Sequence, residues 1–140
     1  LVRAVRALVR PGVPVLAAVL RPRPLSSVTG RSVAYFGTAP ADAHARIAAH
    51  LRKAHGAEVV HVSGTLASRS ALRAELPHVH ADPFLVELKA AAVDVVAEEA
   101  AARGIDVVLA ANDVVVRTGP HELDRELRRL ADEAVEGGAP

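Results

Sequence analysis

Two ionisable residues, Glu87 and Lys89, stand where a short apolar run ends and a helical pattern begins. Phe84-Leu85-Val86 reads as a strand, and residues 88–103 carry helical spacing up to Gly104. In parallel α/β sheets such a strand-to-helix switch lies on the edge where ligands bind. Lys89 is on the unfavoured end of that expected helix. A helix N-terminus carries partial positive charge, and a cation there costs roughly 0.3–1 kcal/mol at exposed sites. A phosphate or carboxylate held by backbone N–H groups and the ammonium together would justify it. The plain alternative is a solvated loop pair.

Three further clusters follow strand-like runs. Gly37-Thr38-Ala39-Pro40 opens a helix, with Thr38 placed to cap it and Asp42 in its first turn. It could hold an anion, or be an ordinary strand-to-helix turn. Ser63-Gly64-Thr65 and Ser68-Arg69-Ser70 supply hydroxyls and a guanidinium suited to bidentate phosphate contact. Their simpler reading is hydroxyl caps beside a surface arginine. Asn112-Asp113 could orient a polar ligand, and is equally a common turn pair. His78 and His80 alternate across Val79, but two imidazoles fall short of a metal ligand set. No metal site, and no Ser/His/Asp arrangement, is expected.

Composition narrows the classes. The 140 residues predict one domain with a piece of a neighbour. Hydrophobic residues make up 51%, yet only one Tyr and two Phe are present, so the core must be aliphatic. A formal net charge of +1 gives no field that implies nucleic acid or an anionic membrane. Without cysteine there is no disulfide framework and no thiolate. No apolar run reaches the roughly 18–20 residues that span a bilayer. Arg3, Arg6 and Arg10 precede the apolar run Val13 to Leu20, but Pro14 interrupts it and Arg21 and Arg23 follow, so a buried strand is the better reading than a signal peptide. Cytoplasm is the simplest compartment. The chain has no Met and starts at Leu1, which reads as part of a longer polypeptide.

The elements that must position these groups alternate. Leu1, Val2, Val5, Leu8 and Val9 predict a first helix, ended by Pro11-Gly12. Val13 to Leu20 predicts a buried strand, stopped by Arg21-Pro22-Arg23-Pro24. Strands are then expected at Ser32 to Phe36, Glu58 to Val62, Phe84 to Val86 and Ile105 to Ala110, with a short extended piece at Val114 to Val116. Helices are expected from Pro40 to Gly56, from about Ser68 to Leu76, over 88–103 and over about 121–135, the last closed by Gly137-Gly138. Continuous apolar strands of this kind are buried on both faces. Right-handed crossovers then give an α/β fold, a layered α/β/α Rossmann-like domain with a mostly parallel sheet.

Several of these segments together resemble the C-terminal part of the cyclic 2,3-diphosphoglycerate synthetase family. They are Val19-Leu20-Arg21-Pro22-Arg23-Pro24-Leu25, Val33-Ala34-Tyr35-Phe36-Gly37-Thr38-Ala39-Pro40, Glu58-Val59-Val60-His61-Val62-Ser63, and Ser68-Arg69 with Leu72-Arg73. The most specific is Glu87-Leu88-Lys89-Ala90-Ala91-Ala92-Val93-Asp94-Val95-Val96. The resemblance runs from about residue 13 to 135. It implies an ATP-dependent ligase that joins the two phosphates of 2,3-diphosphoglycerate into a cyclic pyrophosphate, with Mg accompanying ATP. Nucleotide binding would belong to a preceding P-loop domain, since no GxxxxGK[ST] occurs here. Two departures stand out. Gly37 replaces an expected second threonine, and Ala111-Asn112-Asp113-Val114 replaces an expected Asp-Asn pair leading to proline.

On this reading residues 1–20 end the P-loop domain with its last helix and strand, 21–31 form a linker, and 32–140 form the C-terminal α/β domain. The expected substrate-binding groups are Lys89, Arg69, Thr38, Glu87, Ser63 and Ser68, with 2,3-diphosphoglycerate and the P-loop domain as partners and a homo-oligomer possible. The fragment alone should be inactive. Two alternatives remain: a non-catalytic anion-binding, regulatory or assembly module, and a stand-alone flavodoxin-like or receiver-like domain. Scarce aromatics argue against flavin, and the missing acidic cluster argues against a receiver.

Overall fold

The computed structural model describes residues 2–117 and 122–137. The expected contributions of Leu1, residue 121 and Gly138 lie outside them. The elements are α1 (Val2–Leu8), β1 (Ala18–Pro24), β2 (Ser32–Phe36), α2 (Ala41–His55), β3 (Glu58–Ser63), α3 (Arg69–Glu75), a 3-10 turn (Leu76–His78), β4 (Phe84–Glu87), α4 (Val93–Arg103), β5 (Val107–Val116) and α5 (Glu122–Gly137). The strands form one sheet in the order β1-β5-β4-β2-β3. β2 pairs in parallel with β3 and with β4, and β4 pairs in parallel with β5. The α/β class and the mostly parallel sheet stand as expected.

Two compact units divide the chain. Arg21–Asp113 is one of them, and its layering follows from strand alternation. Val33 and Tyr35 of β2, with Leu85 of β4 and Val108 of β5, pack with Ile47, Ala48 and Leu51 of α2. Ala34 and Phe36, with Phe84 and Val86, pack with Leu72 of α3 and Val95, Val96 and Ala100 of α4. Both faces of the central strands are therefore buried, as their unbroken apolar runs require. Phe36 and Phe84 meet edge to face at 5.2 Å, and the rest of the core is aliphatic or alanine, apart from Tyr35.

Local chemistry sets the ends. Pro40 takes extended geometry before α2, and Asp42 lies in the first turn. Gly56, at φ 65°, turns its amide back to the Arg52 carbonyl and closes the helix. Gly104 closes α4 in the same way at φ 66°. β3 is one of the two terminal strands, and Arg52 of α2 donates to its Val59 carbonyl at 2.6 Å.

Four element expectations need correction. The strand expected over Val13 to Leu20 lies at Ala18–Pro24. Proline is tolerated there because β1 is terminal in the sheet. The Leu25 amide donates to Leu109, so by alternation the proline positions face away from β5. The helix expected from residue 88 begins at Val93. The Leu88 amide still donates to the Ala110 carbonyl at 2.9 Å, which holds this stretch in the sheet and delays the helix. Thr38 does not cap α2, because the helix begins at Ala41 with Pro40 in the cap position, and the Thr38 amide and hydroxyl donate to Glu87 instead. Asn112-Asp113 is not a turn but lies within the continuous β5.

The second unit comprises Leu1–Leu20 and Val114–Pro140. It holds α1 and α5, and the Arg117 amide donates to the Ala17 carbonyl at 2.8 Å. Along α5, Arg129 pairs with Glu126 at 2.9 Å and with Glu133.

Candidate functional site

Parallel strands place their carboxyl ends on one edge, and the registers align Phe36 with Ser63 and with Val86, and Glu87 with Ala110. From β2 the chain moves outward to β3, then crosses back to β4 and on to β5. The winding thus reverses between β2 and β4. A crevice at such a reversal is the usual ligand position in open α/β sheets.

Glu87 and Thr38 face each other across that reversal. The Glu87 carboxylate accepts the Thr38 amide at 3.0 Å and its hydroxyl at 3.2 Å. Its other oxygen accepts the Asn112 side-chain amide at 2.6 Å. One half-buried carboxylate therefore ties the ends of β2 and β4 to the middle of β5. Lys89 follows two residues later in an exposed turn. No carboxylate pairs with it among the described residues. It precedes α4 rather than sitting in its first turn, so the helix-dipole penalty does not apply to it.

A second carboxylate organises the end of β3. Glu75 accepts Ser63 Oγ at 2.7 Å and Thr65 Oγ1 at 2.6 Å, and its other oxygen contacts His61 Nε2 at 2.7 Å. Burial opposes ionisation of Glu75, but the hydrogen bonds from Thr65, Ser63 and His61 outweigh it and hold the carboxyl below its usual range. Ser63 is buried and committed to this cluster.

Arg69 and Asp94 join the start of α3 to the start of α4 at 2.8 Å. The hydrogen bond from Arg69 is the main reason the Asp94 carboxyl lies below its usual value. Ser68 caps α3 by accepting the Ala71 amide at 3.5 Å. The structure thus brings Thr38 and Glu87 together at the reversal. It gives Ser63, Ser68 and Arg69 intrachain partners, and leaves Lys89 exposed.

Two features escaped the sequence reading. Tyr35, the single tyrosine, is 2% exposed, and its ring and hydroxyl lie beneath Gly37. A Cβ at Gly37 would come within 2.7 Å of Tyr35 Cε1 and Oη. Burial, aided by the Glu87 charge, pushes the Tyr35 phenol above its ordinary range, so it is a neutral O–H beside the crevice. Its position one residue before the strand's end was the available signal. The second feature is Gly64, where a Cβ would collide with the Ala39 carbonyl oxygen. Close approach of the two loops requires glycine there. Among the described residues, no group of three or more His, Asp or Glu is placed to hold a metal.

An open sheet wound in both directions, with polar side chains gathered around the reversal, defines a doubly wound α/β domain with its candidate ligand site at the carboxyl edge. Within that class the chain belongs to the family described as the cyclic 2,3-diphosphoglycerate synthetase C-terminal domain, which matches residues 24–113. The synthetase of Rubrobacter xylanophilus is 47% identical over 138 residues, which is 98% of this chain and 30% of that relative. The synthetase of Methanothermobacter thermautotrophicus is 32% identical over 130 residues, 91% of this chain and 28% of that relative. The synthetase of Thermococcus gammatolerans is 42% identical over 111 residues, 79% of this chain and 25% of that relative. The chain therefore spans less than a third of the length of these relatives.

Proposed function

We propose that this chain is the C-terminal portion of an ATP-dependent synthetase that cyclises 2,3-diphosphoglycerate. The observation that carries the reading is the family match over residues 24–113, which covers the whole carboxyl edge described above. The domain's task would be to meet a highly anionic substrate. Phosphates forced together for ring closure repel each other, and a fixed cation lowers that repulsion. Lys89 is the cation best suited to it, being exposed beside the reversal. Arg69 could add a contact only by sharing its guanidinium with Asp94. Thr38 and Glu87 shape the crevice. Ser63 and Ser68 support the loop between β3 and α3.

ATP and Mg would be bound by a preceding P-loop part. The residues of this chain do not fit them: there is no phosphate loop in the sequence, and no metal-holding group among the described residues. Cytoplasm is the compartment we propose, since ATP and phosphorylated glycerates are found there.

The test is a titration of the chain with 2,3-diphosphoglycerate followed by NMR. Shifts confined to residues 37–42, 63–70 and 87–91 support the reading, and a spectrum without shifts leaves the assembly-module alternative standing. In the intact polypeptide, Lys89→Ala should raise KM for 2,3-diphosphoglycerate about tenfold or more. Unchanged KM and kcat would remove Lys89 from the site.

A further inference from the structure

From the position of α5 we infer that its apolar stripe docks on the part of the polypeptide that, in the relatives, lies outside this chain. Leu123, Leu127, Leu130 and Ala134 recur at intervals of four, three and four, which places them on one face of the helix. Leu127 is 55% exposed and Leu130 is 47% exposed. Arg129 pairs with Glu126 and with Glu133 along one flank of that stripe. A helix of this pattern gains its stability from covering the apolar face, because isolated helices of this length are marginal in water.

Three observations say what covers it. The family match ends at residue 113, which is also where the compact unit Arg21–Asp113 ends. So α5 lies outside the C-terminal domain proper. The Rubrobacter relative nevertheless matches 138 residues of this chain, too many to leave α5 out. The helix therefore belongs to the synthetase pattern. That same match occupies only 30% of the relative, leaving a large remainder available to receive the stripe. In this arrangement the family domain is carried between two segments, and the chain returns after β5 to dock α5 on the larger part.

The inference rests on the proposed function only for the existence of that larger part, not for its substrate. It is tested by hydrogen exchange of α5 amides in the intact polypeptide and in the 140-residue chain. Exchange at least tenfold slower in the intact polypeptide is expected. The double variant Leu127→Glu/Leu130→Glu should abolish that protection, while Arg128→Glu, on the polar side, should keep it. Equal exchange in the two wild-type forms overturns the proposal. Protection that disappears on dilution, with a halved sedimentation mass, assigns the stripe to a second copy and also overturns it. Turnover of 2,3-diphosphoglycerate, measured on the same samples, judges the functional reading separately.

Discussion

The Glu87 carboxylate and the Thr38 backbone amide meet at 3.0 Å across the point where the sheet reverses its winding. An amide at this position, just before a helix, is the kind that elsewhere binds a phosphate. Here it is satisfied from within. Asn112 completes the arrangement from the neighbouring strand.

Removing the hub should loosen the contacts among three strands at once. Glu87→Ala is expected to destabilise the fold by about 0.5–1.5 kcal/mol, because the half-buried Asn112 amide loses its partner while the exposed Thr38 donors are rehydrated. Thr38→Val, which deletes only the hydroxyl, should cost about 0.5–1.5 kcal/mol. A double-mutant cycle between Glu87→Ala and Asn112→Ala, read by urea unfolding, should give a coupling of at least ~0.5 kcal/mol. Strict additivity would mean that the shared hydrogen bond carries no stability.

Lys89→Ala should behave in the opposite way. An exposed cation without an intrachain carboxylate contributes little to folding, so the urea midpoint should stay within about 0.5 kcal/mol of wild type. The chemical-shift response to 2,3-diphosphoglycerate should fall sharply. A variant that loses stability but keeps the response would make Lys89 a structural residue.

Gly37 and Tyr35 should be coupled. Gly37→Ala places a methyl within 2.7 Å of the Tyr35 ring, and overpacking of this kind costs about 1–3 kcal/mol. Tyr35→Leu in the same chain should recover part of that loss. The expected threonine at position 37 would meet the same ring, which links the glycine to the tyrosine two residues before it. Thermal unfolding of the two single variants and the double variant decides it, and no recovery would refute the steric account.

Acid should act through Glu75. Its folded-state carboxyl titrates below the ordinary value of 4.5, so ionisation favours the folded state. That stability is complete above about pH 4.5 and is lost as pH falls through the lower folded value. Glu75→Gln should flatten the stability profile on the acid side of about pH 4.5. If the variant and the wild type lose stability in parallel across that window, the Glu75 cluster is not the acid-sensitive element.

The sheet's outline was legible because its strands between Ser32 and Ala110 are short and rich in apolar residues, with β2 and β4 buried on both faces. Helix ends at Gly56 and Gly104 were legible because a left-handed backbone favours glycine. Boundaries set by tertiary hydrogen bonds were not. Nothing local in Leu88 says that its amide still belongs to a strand, and nothing local in Thr38 says that its amide will donate to a distant glutamate. Prolines 22 and 24 signalled a break because their tolerance depends on β1 being terminal, a property of strand order. At the candidate site, the carboxyl-edge position of these residues was legible from strand order, but the partners of Arg69 and Ser63 are separated from them in sequence and became visible only on folding.

The contact between Arg52 and the Val59 carbonyl reaches beyond this one molecule. A terminal strand with free backbone groups is a template on which another chain can add, and repeated addition is how cross-β stacks grow. Val59, Val60 and Val62 give Glu58–Ser63 the β-branched character that such growth favours. Arg52 fills one rung of that ladder with a charged guanidinium, so an incoming strand would have to displace it before its own amide could pair.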